Sequence, residues 1–275
     1  VAKAKETDAE LVLASDPDAD RVGAAVKNNE GEWVLLNGNQ TALMFVYYLI
    51  TRWKELGKIQ GKEYIVKTIV TTETIKTIAD RNGVGFYDVY TGFKWIANVM
   101  KQNEGKLKYI GGGEESYGFL CEDFVRDKDA VSACAVLAEI AAWAKDQGMT
   151  MYQLLQKIYV EYGFSKEKGI SVVKKGKSGA EEIEAMMKHF RENPLKEIAG
   201  SKVILFHDYS TLKGFDYLEN ETLTLDMPVT SNVLQFFTED GTKVSIRPSG
   251  TEPKIKFYMG VKGTSLQDAE EKLNK

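Results

Sequence analysis

The sequence predicts an α/β protein in two parts, an α/β/α unit on a parallel-type sheet followed by a smaller α+β unit. Between Asn37 and Gly163, helical and strand-forming segments alternate, which argues for a parallel sheet flanked by helices. After Gly163 the alternation gives way to strand candidates joined by short turns with few helices, the pattern of a separate α+β domain. A chain of 275 residues, 43% hydrophobic and 28% charged, is long and apolar enough for two domains or so.

In order, residues 11 to 36 read as a strand, an acidic loop, a strand Val22 to Lys27, a turn at Asn28 to Gly31 and a strand Trp33 to Leu36, too little for a domain. A helix over Gln40 to Leu56 follows, then a β-rich run Tyr64 to Thr71, and a helix Thr74 to Arg81 stopped by Asn82-Gly83. Next come a strand Gly85 to Tyr90, a helix Lys94 to Gln102, a strand Leu107 to Ile110 and helices Ala130 to Asp146 and Met151 to Tyr162, the last two stopped by Gly148 and Gly163. The second part holds a strand near Ile170 to Lys174 and a helix Ala180 to Arg191. Strands are then expected at Lys202 to Phe206, Thr222 to Leu225, Val233 to Thr238, Lys243 to Arg247 and Ile255 to Val261. The chain opens almost at once on a strand and closes on a helix cut in mid-pattern, which reads as the middle of a larger protein.

A net charge of −4 gives no electrostatic reason to expect nucleic acid, whose phosphates are met by concentrated Lys and Arg. Apolar stretches such as Leu43 to Ile50 are too short to span a bilayer, so no membrane association is expected. The two cysteines, Cys121 and Cys134, fit neither a disulfide framework nor a zinc site, and a reducing cytoplasm is the natural compartment.

Four loops carry chemistry. In Asp16-Pro17-Asp18-Ala19-Asp20-Arg21, carboxylates two apart converge if the segment stays extended, and a hard cation such as Mg²⁺ would relieve their repulsion. Turn chemistry explains each residue singly, and Arg21 and Lys27 at the sixth and twelfth places exclude an EF-hand. Arg247, Ser249, Gly250 and Thr251 gather a guanidinium, two hydroxyls and an approachable backbone, a donor set suited to phosphate, although Pro-Ser-Gly is also plain turn sequence. Gly111 to Gly113 would let a ligand approach the backbone, and Glu114 and Ser116 could hold neighbouring hydroxyls of a sugar; a glycine-rich turn with solvated acids is the competing reading. Lys94 sits at a strand-to-helix turn favourable to anions, and Lys128 at the foot of another helix. His189 and His207 match no motif and read as packing or surface residues.

Taken together and in this order, Asp16 to Arg21, Thr91-Gly92-Phe93-Lys94, Gly113-Glu114-Glu115-Ser116, Arg126 to Asp129 and Arg247 to Pro253 resemble the α-D-phosphohexomutase superfamily, which includes phosphoglucomutases and phosphomannomutases. The resemblance implies four-domain enzymes, of which residues 1–36 would be the tail of domain two with the metal loop. Residues 37–163 would be domain three with the sugar loop, and 164–275 a TATA-binding-protein-like domain four with the phosphate loop. The phosphorylated serine motif of the first domain, like Thr-Ala-Ser-His-Asn-Pro, is absent from these residues, so this chain alone would be inactive.

The implied reaction is movement of a phosphoryl group between C1 and C6 of glucose or mannose phosphate, through a phosphoserine and a bisphosphorylated sugar. On that resemblance Asp16, Asp18 and Asp20 would hold Mg²⁺ with Arg21 as a cationic brace. Glu114 and Ser116 would grip sugar hydroxyls, while Arg247, Ser249, Gly250 and Thr251 hold the phosphate that is not reacting. Lys94 would reach the same ligand, and Lys128 is similar in place to a lysine suggested as proton donor or acceptor. Members that continue the sugar motif as Ser-Gly-His differ from Ser116-Tyr117-Gly118-Phe119. Two other readings stand beside it: a non-catalytic phosphosugar-binding module, and a metal-dependent phosphatase with an aspartyl nucleophile in the acidic loop.

Overall fold

The computed structural model describes residues 1–174, 176–250 and 252–275, which divide into two compact units, Val1–Gly163 and Phe164–Lys275. The first begins with a short helix α1 (Ala2–Glu6) and an antiparallel sheet of β1 (Leu11–Ser15), β2 (Val22–Lys27) and β3 (Trp33–Leu36). Then follow α2 (Gly38–Glu55), β4 (Glu63–Thr68), α3 (Thr74–Arg81), β5 (Gly85–Val89), α4 (Phe93–Asn103), β6 (Lys108–Gly113), β7 (Phe119–Cys121), α5 (Ala130–Asp146) and α6 (Met151–Tyr162).

Strands β5, β4 and β6 pair in parallel, and β7 joins the β6 edge antiparallel, so the expected parallel sheet carries one reversed edge strand. The reason is local: β6 and β7 are linked by a short turn that reverses the chain, whereas a parallel partner would need a long crossover. Side chains on one face of the sheet, Tyr64, Val66 and Tyr109, pack against Phe93, Ile96 and Met100 of α4. Helix α2 is buried from Thr41 to Ile50 on all sides, as a helix sandwiched in an interior must be. Asn37 starts it with a reciprocal capping box, its side chain accepting from the Gln40 N–H at 2.9 Å while the Gln40 side chain accepts from the Asn37 N–H at 3.0 Å.

Two departures from the sequence reading bear on the site. Strand β6 runs on through Gly113 instead of stopping at Ile110, and its register slips by one between the pairs Tyr64–Tyr109 and Ile65–Gly111. The glycines serve packing. A Cβ at Gly111 would sit 3.0 Å from Leu49 Cδ1, one at Gly112 would press on the Val66 carbonyl, and one at Gly113 would overlap Phe119. The small strand β7, too short to leave a period, was absent from the sequence reading.

The second unit contains β8 (Phe164–Val173), α7 (Gly176–Glu192), β9 (Glu197–Ile198), β10 (Ser201–Asp208), β11 (Lys213–Asp216), β12 (Glu221–Thr224), β13 (Leu234–Thr238), β14 (Lys243–Pro248), β15 (Lys254–Gly263) and α8 (Leu266–Leu273). Its strands run antiparallel in the order β12-β11-β10-β13-β14-β15-β8. Ile183 and Met187 of α7 cover one face through Val203, Leu234, Phe236, Ile246 and Ile255, which is the segregated α+β arrangement.

Candidate functional site

The acidic loop joins β1 to β2, which pair up to Ser15–Val22. It is a folded turn and not an extended ribbon. Asp16 Oδ1 accepts from the N–H groups of Asp20 (3.1 Å) and Arg21 (3.0 Å), and Ala19 takes a left-handed φ of 56° to close the bend. One carboxylate oxygen from each of Asp16, Asp18 and Asp20 nevertheless lies within 4.8 Å of the others. The carboxylates therefore converge for a different reason from the alternation that predicted it: the Asp16 side chain folds the backbone around itself. Burial works to raise the Asp16 carboxyl, but the Arg21 and Asp20 N–H groups outweigh it and hold it below the ordinary carboxylate range.

Asp20 Oδ1 is buried and has no hydrogen-bond partner. A buried acceptor without a donor is costly, and a hard cation bound by oxygens would meet that cost. The three carboxylates and this orphan oxygen thus fit a divalent ion of the Mg²⁺ or Ca²⁺ kind. Arg21 lies alongside, its Nε 3.6 Å from Asp20 Oδ1 and 3.9 Å from Asp16 Oδ2.

Two segments far apart in sequence are stitched to this loop by backbone hydrogen bonds, and a third bond joins those segments to each other. The Val22 N–H donates to the Tyr117 carbonyl (3.1 Å), the Ala130 N–H to the Ala19 carbonyl (3.0 Å), and the Asp129 N–H to the Phe119 carbonyl (3.2 Å). Lys128, which precedes the Asp129 cap of α5, reaches Asp20 Oδ2 with its ammonium at 2.6 Å and has Asp127 at 3.4 Å. Burial pulls its ammonium down, yet Asp20 and Asp127 outweigh that and hold it above the ordinary lysine range.

Glu114 follows β6 and is only 5% exposed, its Oε1 accepting from the Gly92 N–H at 2.7 Å. Burial pushes its carboxyl above the ordinary range and Glu115 adds to the push, while the Gly92 N–H, Lys128 and Arg21 draw it back. Glu115 turns to other partners, its Oε2 accepting from Thr68 (3.1 Å) and Thr71 (3.3 Å). Ser116 is half-buried beside them. Lys94 is exposed and lies over the Trp95 ring at 5.2 Å, so its loop joins the cluster through Gly92 and not through the lysine side chain.

Sequence reasoning missed Gly38, Thr68 and Thr71, and named Gly92 only as part of the segment Thr91 to Lys94. A Cβ at Gly38 would overlap the Glu115 carbonyl and come 2.8 Å from the Tyr117 N–H nitrogen, so the first turn of α2 fits under the sugar loop only as glycine. Thr68 ends the central parallel strand and Thr71 lies in the turn just past it, where α/β sheets present ligands, a position that could have marked them.

Arg247, Ser249 and Gly250 lie in the second unit, at the end of β14 and in the turn to β15. The Ser249 N–H donates to the Lys254 carbonyl at 2.8 Å, the Ser249 hydroxyl accepts from the Glu252 N–H at 3.3 Å, and Lys254 pairs with Glu252. No ion pair engages the Arg247 guanidinium among the described residues, and space around the Gly250 backbone is open. Thr251, expected in the same cradle, lies outside the described residues.

Residues 37–162 match the family described as phosphoglucomutase/phosphomannomutase, alpha/beta/alpha domain III, and residues 173–272 match its C-terminal domain. The chain belongs to the phosphoglucomutase/phosphomannomutase family. A phosphoglucomutase of Staphylococcus aureus strain MRSA252 is 37% identical over 271 residues, 98% of this chain and 48% of that protein. The chain thus spans about half the length of the curated phosphoglucomutases it matches.

Among solved structures, the open form of the phosphoglucomutase pp63/parafusin from Paramecium superposes with a TM-score of 0.62 at 16% identity, covering 97% of this chain and 44% of that one. A putative phosphomannomutase from Thermus thermophilus gives 0.59 at 18%, covering 96% and 46%. These low-identity likenesses establish a phosphohexomutase-type fold. No helix among the described residues is long and apolar enough to cross a membrane.

Proposed function

We propose that this chain supplies the metal loop, the sugar loop and the phosphate loop of a Mg²⁺-dependent hexose-phosphate mutase. Residues 1–36 would close its second domain, 37–163 form the third and 164–275 the fourth. The single observation that carries this is the convergence of Asp16, Asp18 and Asp20 with Lys128 and the buried Glu114 within one unit of a family member. A bound Mg²⁺ would neutralise charge on the transferring phosphoryl oxygens.

The chain's own groups do the rest. Asp16, Asp18 and Asp20 hold the ion, and Arg21 adds a fixed positive charge at the rim of that cluster. Glu114 and Ser116 accept from and donate to sugar hydroxyls, and the burial of Glu114 makes each such bond stronger than it would be in water. Lys128 Nζ holds the proton exchanged with the reacting sugar oxygen. In the second unit Arg247, Ser249, Gly250 and Thr251 would clasp the phosphate that is not reacting, and in the first unit Lys94 would add positive charge; holding one phosphate aligns the reacting one. Transfer between C1 and C6 requires a phosphoserine, and no Ser-His-Asn-Pro motif occurs in these 275 residues, so the chain by itself binds without turning over. Glucose or mannose 1- and 6-phosphates and their bisphosphate are the ligand class, in a soluble cytoplasmic setting.

Titration of the 275-residue chain with glucose 1-phosphate in the presence of Mg²⁺, followed by calorimetry, tests the reading. Binding is expected, weakened at least tenfold in Arg247→Ala through loss of a charge-assisted bidentate contact of about 1.5–3 kcal/mol. Equal affinity in both proteins would defeat the phosphate-loop assignment.

A further inference from the structure

Gly118 stands in the sugar loop at a place where the backbone asks for no glycine: its φ is outside the left-handed region, unlike that of Gly92 or Gly163. What it lacks is room. A Cβ built there would overlap Lys128 Cδ and lie 3.2 Å from Cγ and 3.3 Å from Cε, three successive methylenes of one side chain. Lys128 therefore crosses the sugar loop through the gap that a missing side chain leaves.

Neither backbone is free to step aside. The Gly118 carbonyl accepts from the Glu114 N–H at 2.8 Å, and next to Lys128 the Asp129 N–H is bound to the Phe119 carbonyl at 3.2 Å. The Lys128 N–H is held by Asp127 Oδ1 at 2.7 Å. Beyond the gap the ammonium lies over the Phe93 ring, 5.8 Å from its centroid, and meets Asp20 Oδ2 at 2.6 Å. It is only 14% exposed along that path. The other oxygen of the same carboxylate is the buried one without a hydrogen-bond partner, with Arg21 Nε 3.6 Å away.

We propose that Gly118 is a positioning residue of this site: by leaving the slot open it lets a lysine from the foot of α5 clamp one oxygen of Asp20, which turns the other oxygen toward Asp16 and Asp18. A side chain at 118 and the Lys128–Asp20 pair are mutually exclusive, because the flexible lysine stem is the part that yields. The orientation of a metal-ligating carboxylate by a partner on its second oxygen is a common way to fix such a ligand. The inference rests on the proposed function only for the use made of the ammonium and the carboxylate; the slot itself is a property of this chain.

Competitive acetylation of the folded chain with limiting isotope-labelled acetic anhydride, read lysine by lysine by mass spectrometry, tests it without sugar or turnover. In the parent protein Lys128 is expected to react slowly against exposed Lys94 and Lys145. In Gly118→Ala its relative rate rises several-fold, as it does in Asp20→Asn, while the reference lysines hold steady. Unchanged Lys128 reactivity in folded Gly118→Ala overturns the proposal. Should Gly118→Ala fail to fold, the double variant Gly118→Ala/Lys128→Ala decides: recovery of the fold supports a conflict confined to the lysine stem, and continued failure rejects it. Failure of glucose 1-phosphate to bind would count against the mutase reading and leave these rates as they are.

Discussion

Lys67 shows how much charge this fold accepts in its interior. It lies on the central strand β4 with 0% of its side chain exposed, 2.6 Å from Asp88 Oδ1, 3.1 Å from Glu73 Oε1 and 3.2 Å from the Thr68 carbonyl. Burial alone would pull its ammonium down, but the two carboxylates reverse the sign and keep it above the ordinary lysine range. The next residue, Thr68, holds Glu115 of the sugar loop, so a stability feature and the site share one strand end. Removing one member of a buried pair strands the others, at a cost of about 3–5 kcal/mol. Here Asp88 and Glu73 are 35% and 30% exposed and can turn to water, which places Lys67→Met near the lower end, about 3 kcal/mol by urea denaturation. A loss under about 0.5 kcal/mol would mean that the pair is energetically idle.

At the scale of elements, burial of a histidine sets a pH dependence. His207 of β10 packs against the Phe237 ring at 5.0 Å, and desolvation lowers its pKa to about 4 from the ordinary 6.5. Between those values the unfolded chain binds the extra proton, so the contribution is fully present above pH 6.5 and is lost as pH falls through about 4. The shift corresponds to up to roughly 3 kcal/mol. Urea denaturation of the parent and His207→Phe at about pH 7.5 and about pH 4.5 is expected to show a smaller acid penalty in the variant; the same penalty in both would refute the buried neutral state.

Why some elements were legible and others not follows from what fixes them. Helices α5 and α6 begin and end where Asp129, Thr150, Gly148 and Gly163 announce caps and stops, because those signals act within one turn. Strands β7 and β9 have three and two residues, too few to show a period, and exist because a neighbouring strand supplies their hydrogen bonds. The acidic triad was legible by residue type but not by shape, since the turn depends on Asp16 binding two later N–H groups. Thr68 and Thr71 were marked only by their place at a strand end, and Gly38 by nothing local, because their roles come from contacts with Glu115, far along the chain.

At the scale of the whole molecule, the proposed chemistry is divided between two units with separate cores: the acidic loop, the Gly113–Ser116 loop and Lys128 in Val1–Gly163, Arg247 and its turn in Phe164–Lys275. The family relation accounts for both units, since the two matched domains are consecutive members of one architecture. The claim on which the rest depends is that the turn between β1 and β2 is a divalent-cation site. Titration of the 275-residue chain with Mn²⁺, followed by the loss of the free-ion electron paramagnetic resonance signal, tests it most directly. The account predicts one ion per chain, displaced by Mg²⁺, lost in Asp18→Asn and retained in Arg247→Ala; equal Mn²⁺ uptake by the parent chain and Asp18→Asn, or none by either, would contradict it.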